Sequence, residues 1–327
     1  MKKLLICMLS FLAFYSSIGY AFELKVVKTI EGEEYYNKKK SKKLSEITLD
    51  KRNVKKLKKI YDSILKNMVQ CPVGSFIMGS PENELGSSKN RTCEKQHKEI
   101  ISIPFYIGQY EVTQNLYELI TGENPSTFFA EEDDEENPVE NISWDDANDF
   151  CKILNSLFED FLPDGYRFDL PTEIQWEYAC RAGTTTALNN EKDLTSENDS
   201  CVNLDEVAWY NGNSERCPHP VGKKKPNAWD IYDMHGNVWE WCKESVYIKG
   251  KENKILRGGS WDSAPKICRA AYQVYFGHYV FSENMGFRIV LVTDSLAKVK
   301  EVPNTHKIIK KNKDKANQNN KIKIIDK

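Results

Sequence analysis

NAWDIYDMHGNVWEWC, residues 227–242, sets three of the chain's seven tryptophans and two carboxylates, Asp233 and Glu240, around a glycine-containing turn. Such a loop can offer two side-chain oxygens and intervening backbone carbonyls to a hard cation. A second turn follows in LRGGSWDSAPKICRAAY, residues 256–272, where Arg257-Gly258-Gly259 reads as a tight strand turn. All seven tryptophans fall between Trp144 and Trp261, and glycines and prolines punctuate short apolar runs from about residue 66 to 293. This texture predicts one irregular α+β domain, rich in loops and poor in long helices, held by aromatic packing and disulfides.

Two helices carry their own start signals. In NISWDDANDFCKILNSL, Ser143 is an N-cap and Asp146 stands in the capping-box position. Ala147, Phe150, Cys151, Leu154 and Leu157 then recur on one face. In LPTEIQWEYACRAG, Thr172 caps, Gln175 reciprocates, Ile174, Tyr178 and Trp176 face inward, and Gly183 ends the helix. A third helix is expected after Thr113, and strands are expected in GSFIMGS, EIISIPFYIGQYEV, NKILRGGSW and MGFRIVLV.

The ends differ from this body. Lys2 and Lys3 precede a short apolar run, and Gly19 and Ala21 supply small residues before a cut near Phe22, so residues 1–21 read as a signal peptide. The run is too short to span a bilayer, and the mature protein is expected to be exported, periplasmic or secreted. Residues 22–65 are lysine-rich, with Leu57, Ile60, Tyr61 and Ile64 at helical spacing near their end. Residues 294–327, rich in Lys and Asn and without Phe, Tyr or Trp, read as a disordered basic tail. A net charge of −2 gives no nucleic-acid signature.

Eight cysteines follow the cleavage site, an even number that points to disulfides in an exported chain. Cys201–Cys217 and Cys71–Cys93 are reasonable local pairs. His219, His235 and His278 are too few and too scattered to suggest an iron site.

Seven pieces, in order, resemble the formylglycine-generating enzyme or sulfatase-modifying factor family. They are GSFIMGS, FYIGQYEVT, NPVENISWDDANDFC, LPTEIQWEYACRAG, NAWDIYDMHGNVWEWC, LRGGSW and GFRIV, spanning about 220 residues. The resemblance implies a domain over 66–293 with a fold related to the C-type lectin and little regular secondary structure. It implies a calcium site at Asp233 and Glu240, with carbonyls from Gly236 and Val238. It also implies a disulfide between Cys180 and Cys268, and places Trp239 beside a substrate groove with Ser260, Trp261 and Ser263. Cys151 matches a family disulfide position whose usual partner is here Ile289, which leaves it either buried and free or paired with Cys242.

Members that make formylglycine carry two cysteines, three and eight residues beyond the serine of the Gly-Gly-Ser turn, that bind copper(I). Here the first of those positions is Ser263, and a hydroxyl cannot replace a thiolate toward a soft ion. Copper is therefore not expected. The expectation is a recognition or protein-maturation module with a protein or peptide ligand; the alternative is a divergent oxidoreductase of the formylglycine-generating type. Fold alone does not decide between them.

Overall fold

The sequence VKKLKKIYDSILK sorts its residues onto two faces of one helix, α1 (Val54–Lys66). Leu57, Ile60, Tyr61, Ile64 and Leu65 are buried and the lysines point outward. Tyr61 packs against Phe158, Phe161 and Phe168 at centroid distances of 5.5, 5.8 and 6.5 Å. The helix thus belongs to the main core, and the folded unit starts before residue 66. The structure, a computed structural model, describes residues 54–87, 92–128, 136–198 and 200–294. The expected signal peptide, most of the lysine-rich segment and the tail beyond 294 lie outside the described residues. Among the described residues no helix is long and apolar enough to cross a membrane.

The predicted helices start where their caps put them. Thr113 accepts from the N–H of Leu116 and opens α2 (Gln114–Thr121), which Gly122 closes in the left-handed region. Ser143 and Asp146 form a reciprocal capping box at the head of α3 (Trp144–Leu157). Thr172 and Gln175 do the same for α4 (Glu173–Arg181). The left-handed residue that ends α4 is Ala182, one position before the expected Gly183. Ile174 is only half-buried, while Trp176, Glu177, Tyr178 and Arg181 all point inward. A single turn, α5 (Val202–Asp205), completes the α-helices.

One sheet has the order β1 (Met68–Cys71), β4 (Phe105–Gly108), β12 (Val290–Thr293), β5 (Tyr166–Asp169), all antiparallel. The other has β10 (Gln273–Phe276), β9 (Lys251–Arg257), β8 (Trp239–Ile248) and β11 (Met285–Gly286). β8 and β9 form a hairpin whose tip, Lys249-Gly250, takes positive φ at both residues, as a two-residue turn with right-handed strand twist requires. Two short pairs, β2 (Gly74–Met78) with β3 (His97–Ile101) and β6 (Ala208–Trp209) with β7 (His235–Gly236), flank them.

Two expected strands divide. EIISIPFYIGQYEV splits into β3 and β4 in different sheets, with Pro104, which has no N–H for a ladder, between them. MGFRIVLV splits into β11 and β12, and the break at Phe287–Ile289 frees Arg288 to turn inward.

Candidate functional site

Gly258 and Gly259 both take left-handed φ, and a Cβ on Gly259 would stand 2.8 Å from Cys268 Sγ. The chain that leaves this turn closes on itself. The N–H of Ser260 donates to Ser263 Oγ (3.0 Å), and the two serine hydroxyls are 2.9 Å apart. Ser260 Oγ also donates to Asp262 Oδ1 (2.6 Å), and Asn284 Nδ2 holds both oxygens of Asp262 at 3.1 Å. From above, Ser214 Oγ donates to the Trp261 carbonyl and Asn211 N–H to that of Ser263.

Ser260 and Ser263 are therefore fully buried, and Trp239 and Trp261 keep 4% and 8% of their surface. All four groove candidates are thus buried side chains of the turn and its surroundings. Half-buried Trp144, Ile267, Tyr272, Val274, Phe276 and Val280 pack on the core cluster that contains Trp239. Tyr272 lies 6.2 Å from Trp239, ring to ring. Trp261 donates its indole N–H to the Glu283 carbonyl (3.2 Å) and meets Phe128 edge to face at 5.4 Å.

None of the eight described cysteines forms a disulfide in this structure, which departs from every pairing expected above. Between Cys180 and Cys268 stands His235. Its Nδ1–H donates to the Cys268 carbonyl (2.6 Å), and its Nε2 accepts from Asn189 N–H (3.0 Å) and lies 3.8 Å from Cys180 Sγ. Burial lowers His235 to about 4, so the ring is neutral, and burial raises both thiols, Cys180 to about 12. Neither is a nucleophile at neutral pH. Cys151 is buried and unbridged, one of the two states left open for it.

The Asp233–Glu240 loop is a strained turn, with Asp233, Gly236 and Asn237 all at positive φ. Gly236 has no substitute, since a Cβ there would fall 2.0 Å from the Trp209 carbonyl oxygen. Glu240 accepts from Arg288 at both oxygens (2.6 Å each) and from Trp176 Nε1 (2.7 Å). Asp233 Oδ2 accepts from Gly222 N–H (2.7 Å), while its Oδ1 is buried without a partner. Glu111 joins them, accepting from Asn237 Nδ2 (2.8 Å) and Val238 N–H (3.2 Å).

Three buried carboxylates thus share one guanidinium. Burial first, and then repulsion from Asp233 and Glu240, push Glu111 well above the usual carboxylate range; burial raises Asp233 to about 6 against the Gly222 N–H, Arg288 and Lys224. The surplus of negative charge and the orphaned Asp233 oxygen suit a cation; the committed Glu240 carboxylate does not offer a free oxygen to one. Among the described residues no three His, Cys, Asp or Glu side chains converge on a metal position.

Sequence reasoning passed over Glu111 and Arg288, although both lie in quoted motif pieces, FYIGQYEVT and GFRIV. It also missed the lock behind the Gly-Gly turn. Arg257 donates to the Ala270 (2.7 Å) and Ala271 (3.1 Å) carbonyls and pairs with Glu173 (3.3 Å) and Glu177. Arg181 pairs with Glu177 at 2.8 Å. The only sequence signal was charge at positions of α4 that the helical period turns inward.

A family model described as the sulfatase-modifying factor enzyme 1-like domain matches residues 55–293. A Paenibacillus barcinonensis protein named chaperone protein LppX is 31% identical over 257 residues, 63% of this chain and 87% of that protein. The mouse inactive C-alpha-formylglycine-generating enzyme 2 is 32% identical over 161 residues, 46% of this chain and 48% of its own length. A formylglycine-generating enzyme from Bos taurus is 27% identical over 174 residues, 47% of this chain and 43% of the enzyme. This chain thus spans about half of those last two proteins. Among solved structures, Treponema denticola variable protein 1 superposes with a TM-score of 0.56 at 26% identity, over 68% of this chain and 94% of the other.

Proposed function

The chain belongs to the sulfatase-modifying factor enzyme 1-like family, and from that membership we propose that it is a protein- or peptide-binding module for protein maturation that does not oxidise its client. One observation carries the reading. The position of the first copper-binding cysteine is Ser263, whose hydroxyl is buried in a closed network with Ser260 and Asp262. A serine oxygen held this way supplies neither a soft ligand nor an open coordination position. The nearby Cys268 thiol is buried, and burial keeps it protonated.

What remains is an aromatic face suited to binding. Tyr272, beside Trp239, and the half-buried Val274 and Phe276 offer apolar area with few rotatable bonds, the composition that dominates protein contact sites. The Paenibacillus relative is named as a chaperone, a role that binds clients without altering them covalently. Export, on the reading of residues 1–21 as a signal peptide, would bring this face to clients outside the cytosol.

Calcium is part of the proposal. Asp233, with its buried unpartnered oxygen, and the carbonyls of Gly236 and Val238 would hold the ion. Glu240 would join only by giving up an oxygen now held by Arg288 or Trp176. The ion would supply positive charge to a loop that Arg288 and Lys224 leave negative, and so brace the turn that precedes Trp239.

The test is incubation with a fluorescent cysteine-containing peptide, copper(I) and oxygen, reading binding by anisotropy and aldehyde by hydrazide capture. Saturable binding without aldehyde is expected, and binding is expected to weaken in Tyr272→Ala. Aldehyde formed in proportion to enzyme would overturn the proposal.

A further inference from the structure

Glu140 is a fully buried glutamate on the strand-like segment before α3, and its two oxygens are treated unequally. Oε1 accepts two consecutive backbone donors, the N–H of Thr127 and the N–H of Phe128 (2.8 Å). Oε2 is buried and has no partner. The contact is reciprocal, because the N–H of Glu140 donates to Ser126 Oγ (3.2 Å). Asn141 Nδ2 adds a bond to the Pro125 carbonyl (3.2 Å) and Gln114 Nε2 one to the Phe128 carbonyl (2.6 Å). The turn 124–128 is thus pinned at both ends, and its last residue, Phe128, rests edge to face on Trp261.

We propose that Glu140 is a pH-sensitive latch that holds the 124–128 turn, and with it Phe128, over Trp261 at the edge of the aromatic face. Its link to ligand binding rests on the binding-module reading above; the latch itself does not.

The physical basis is the cost of charge on Oε2. A neutral carboxyl satisfies the two donors through Oε1 and leaves no net charge in the interior. An ionised one places charge on an oxygen that no donor meets. The charged group facing it is Glu283, on the segment that the Asn141 N–H to Ser282 carbonyl bond (2.9 Å) brings alongside. Glu283 repels the ionised form. Glu136, on the chain leading in, is turned toward Asn115 Nδ2 (3.3 Å), and the remaining side chains at the turn, Gln114, Asn124, Ser126 and Asn141, are uncharged.

Burial, opposed by the two N–H donors and assisted by Glu283, raises Glu140 to about 7. An acid whose folded value lies above its unfolded one stabilises the fold fully below the unfolded value, and that contribution is lost as pH rises through the folded one. The latch therefore holds in mild acid and loosens above neutrality.

Residue-resolved hydrogen exchange on the full chain tests this, with each rate divided by the intrinsic rate at that pH. Protection at Thr127 and Phe128 is expected to fall on the order of tenfold or more between about pH 5.5 and pH 8. In Glu140→Gln, where a neutral amide oxygen still accepts both donors, protection is expected to stay level. Should that variant fail to fold, Glu283→Gln serves instead, and it is expected to move the midpoint of the fall to lower pH, because removing the repelling charge eases the ionisation of Glu140. Level protection in the native chain, an equal fall in Glu140→Gln, or an unmoved midpoint in Glu283→Gln would overturn the latch. None of these outcomes bears on peptide anisotropy, so the latch and the binding reading fail separately.

Discussion

Two clusters of buried charge meet at the β8–β9 pair, where Glu240 and Arg257 are register partners, and they differ in their balance of charge. Behind the Gly-Gly turn, Arg257 and Arg181 face Glu177 and Glu173, two positive groups to two negative. Burial acts to raise Glu177, but the two guanidiniums and the Gly79 N–H outweigh it and hold that carboxyl below its usual range. At the Asp233–Glu240 loop, one guanidinium, Arg288, serves Glu111, Asp233 and Glu240, and burial wins: two of the three are pushed up. The first cluster is complete as folded and works as a lock on α4. The second holds more negative than positive charge, and the calcium proposal rests on that surplus.

The comparison is sharpest where an arginine is removed. Arg288→Met leaves the three carboxylates with no guanidinium and only Lys224 acting on Asp233, and is expected to lose about 4 kcal/mol or more of unfolding free energy in calcium-free urea titrations. Arg257→Met, which strands Glu177 with Arg181 alone, is expected to lose about 3 kcal/mol. Saturating calcium should restore part of the first loss and none of the second; equal rescue of both would break the distinction.

Carboxylates should respond with opposite sign. Glu177→Gln is expected to destabilise by about 3 kcal/mol at pH 8, since it abandons two buried arginines. Asp233→Asn at the same pH without calcium is expected to stabilise by about 1 kcal/mol, because it removes a charge the loop holds at a cost. The pH dependence follows. Asp233, raised to about 6, gives stability that is present in acid and lost as pH rises through that value. Glu177, lowered, gives stability that is present above the ordinary glutamate range and lost as pH falls. Comparing each variant with the native chain across pH in thermal melts separates the two.

Calcium at about a hundredfold over its dissociation constant should add about 2.7 kcal/mol to the native chain, seen as a rise in melting temperature. Asp233→Ala should abolish that rise. The smallest effect belongs to the serine turn: Ser263→Ala removes hydroxyl bonds to Ser260 and should cost about 1 kcal/mol by urea titration. It should leave peptide binding unchanged, because Ser263 does not reach the surface.

Local signals carried the α3 and α4 starts to the residue, since Ser143 with Asp146 and Thr172 with Gln175 are interactions over three positions. The seven motif pieces carried the family, and the family carried the fold class. Long strands were read less well, because a run such as EIISIPFYIGQYEV shows the same β character whether it feeds one sheet or two. The groove candidates Trp239, Ser260, Trp261 and Ser263 are buried, and their depth was not legible from the turn. Burial of Ser260 and Ser263 is imposed by Asn211 and Ser214 on a separate loop, which no spacing around the turn could reveal.

By itself, then, the sequence determined what short range can settle: which helices are capped, which turns need glycine, and which family's pieces stand in order. Tertiary structure alone decided which acid meets which base. Glu240 is 48 positions from Arg288, and Glu111 is 126 from Asn237. Whether a buried carboxylate is neutralised, protonated or left for a cation depends on partners that only the closed fold brings within hydrogen-bond reach, where low dielectric makes each pairing, or its absence, decisive.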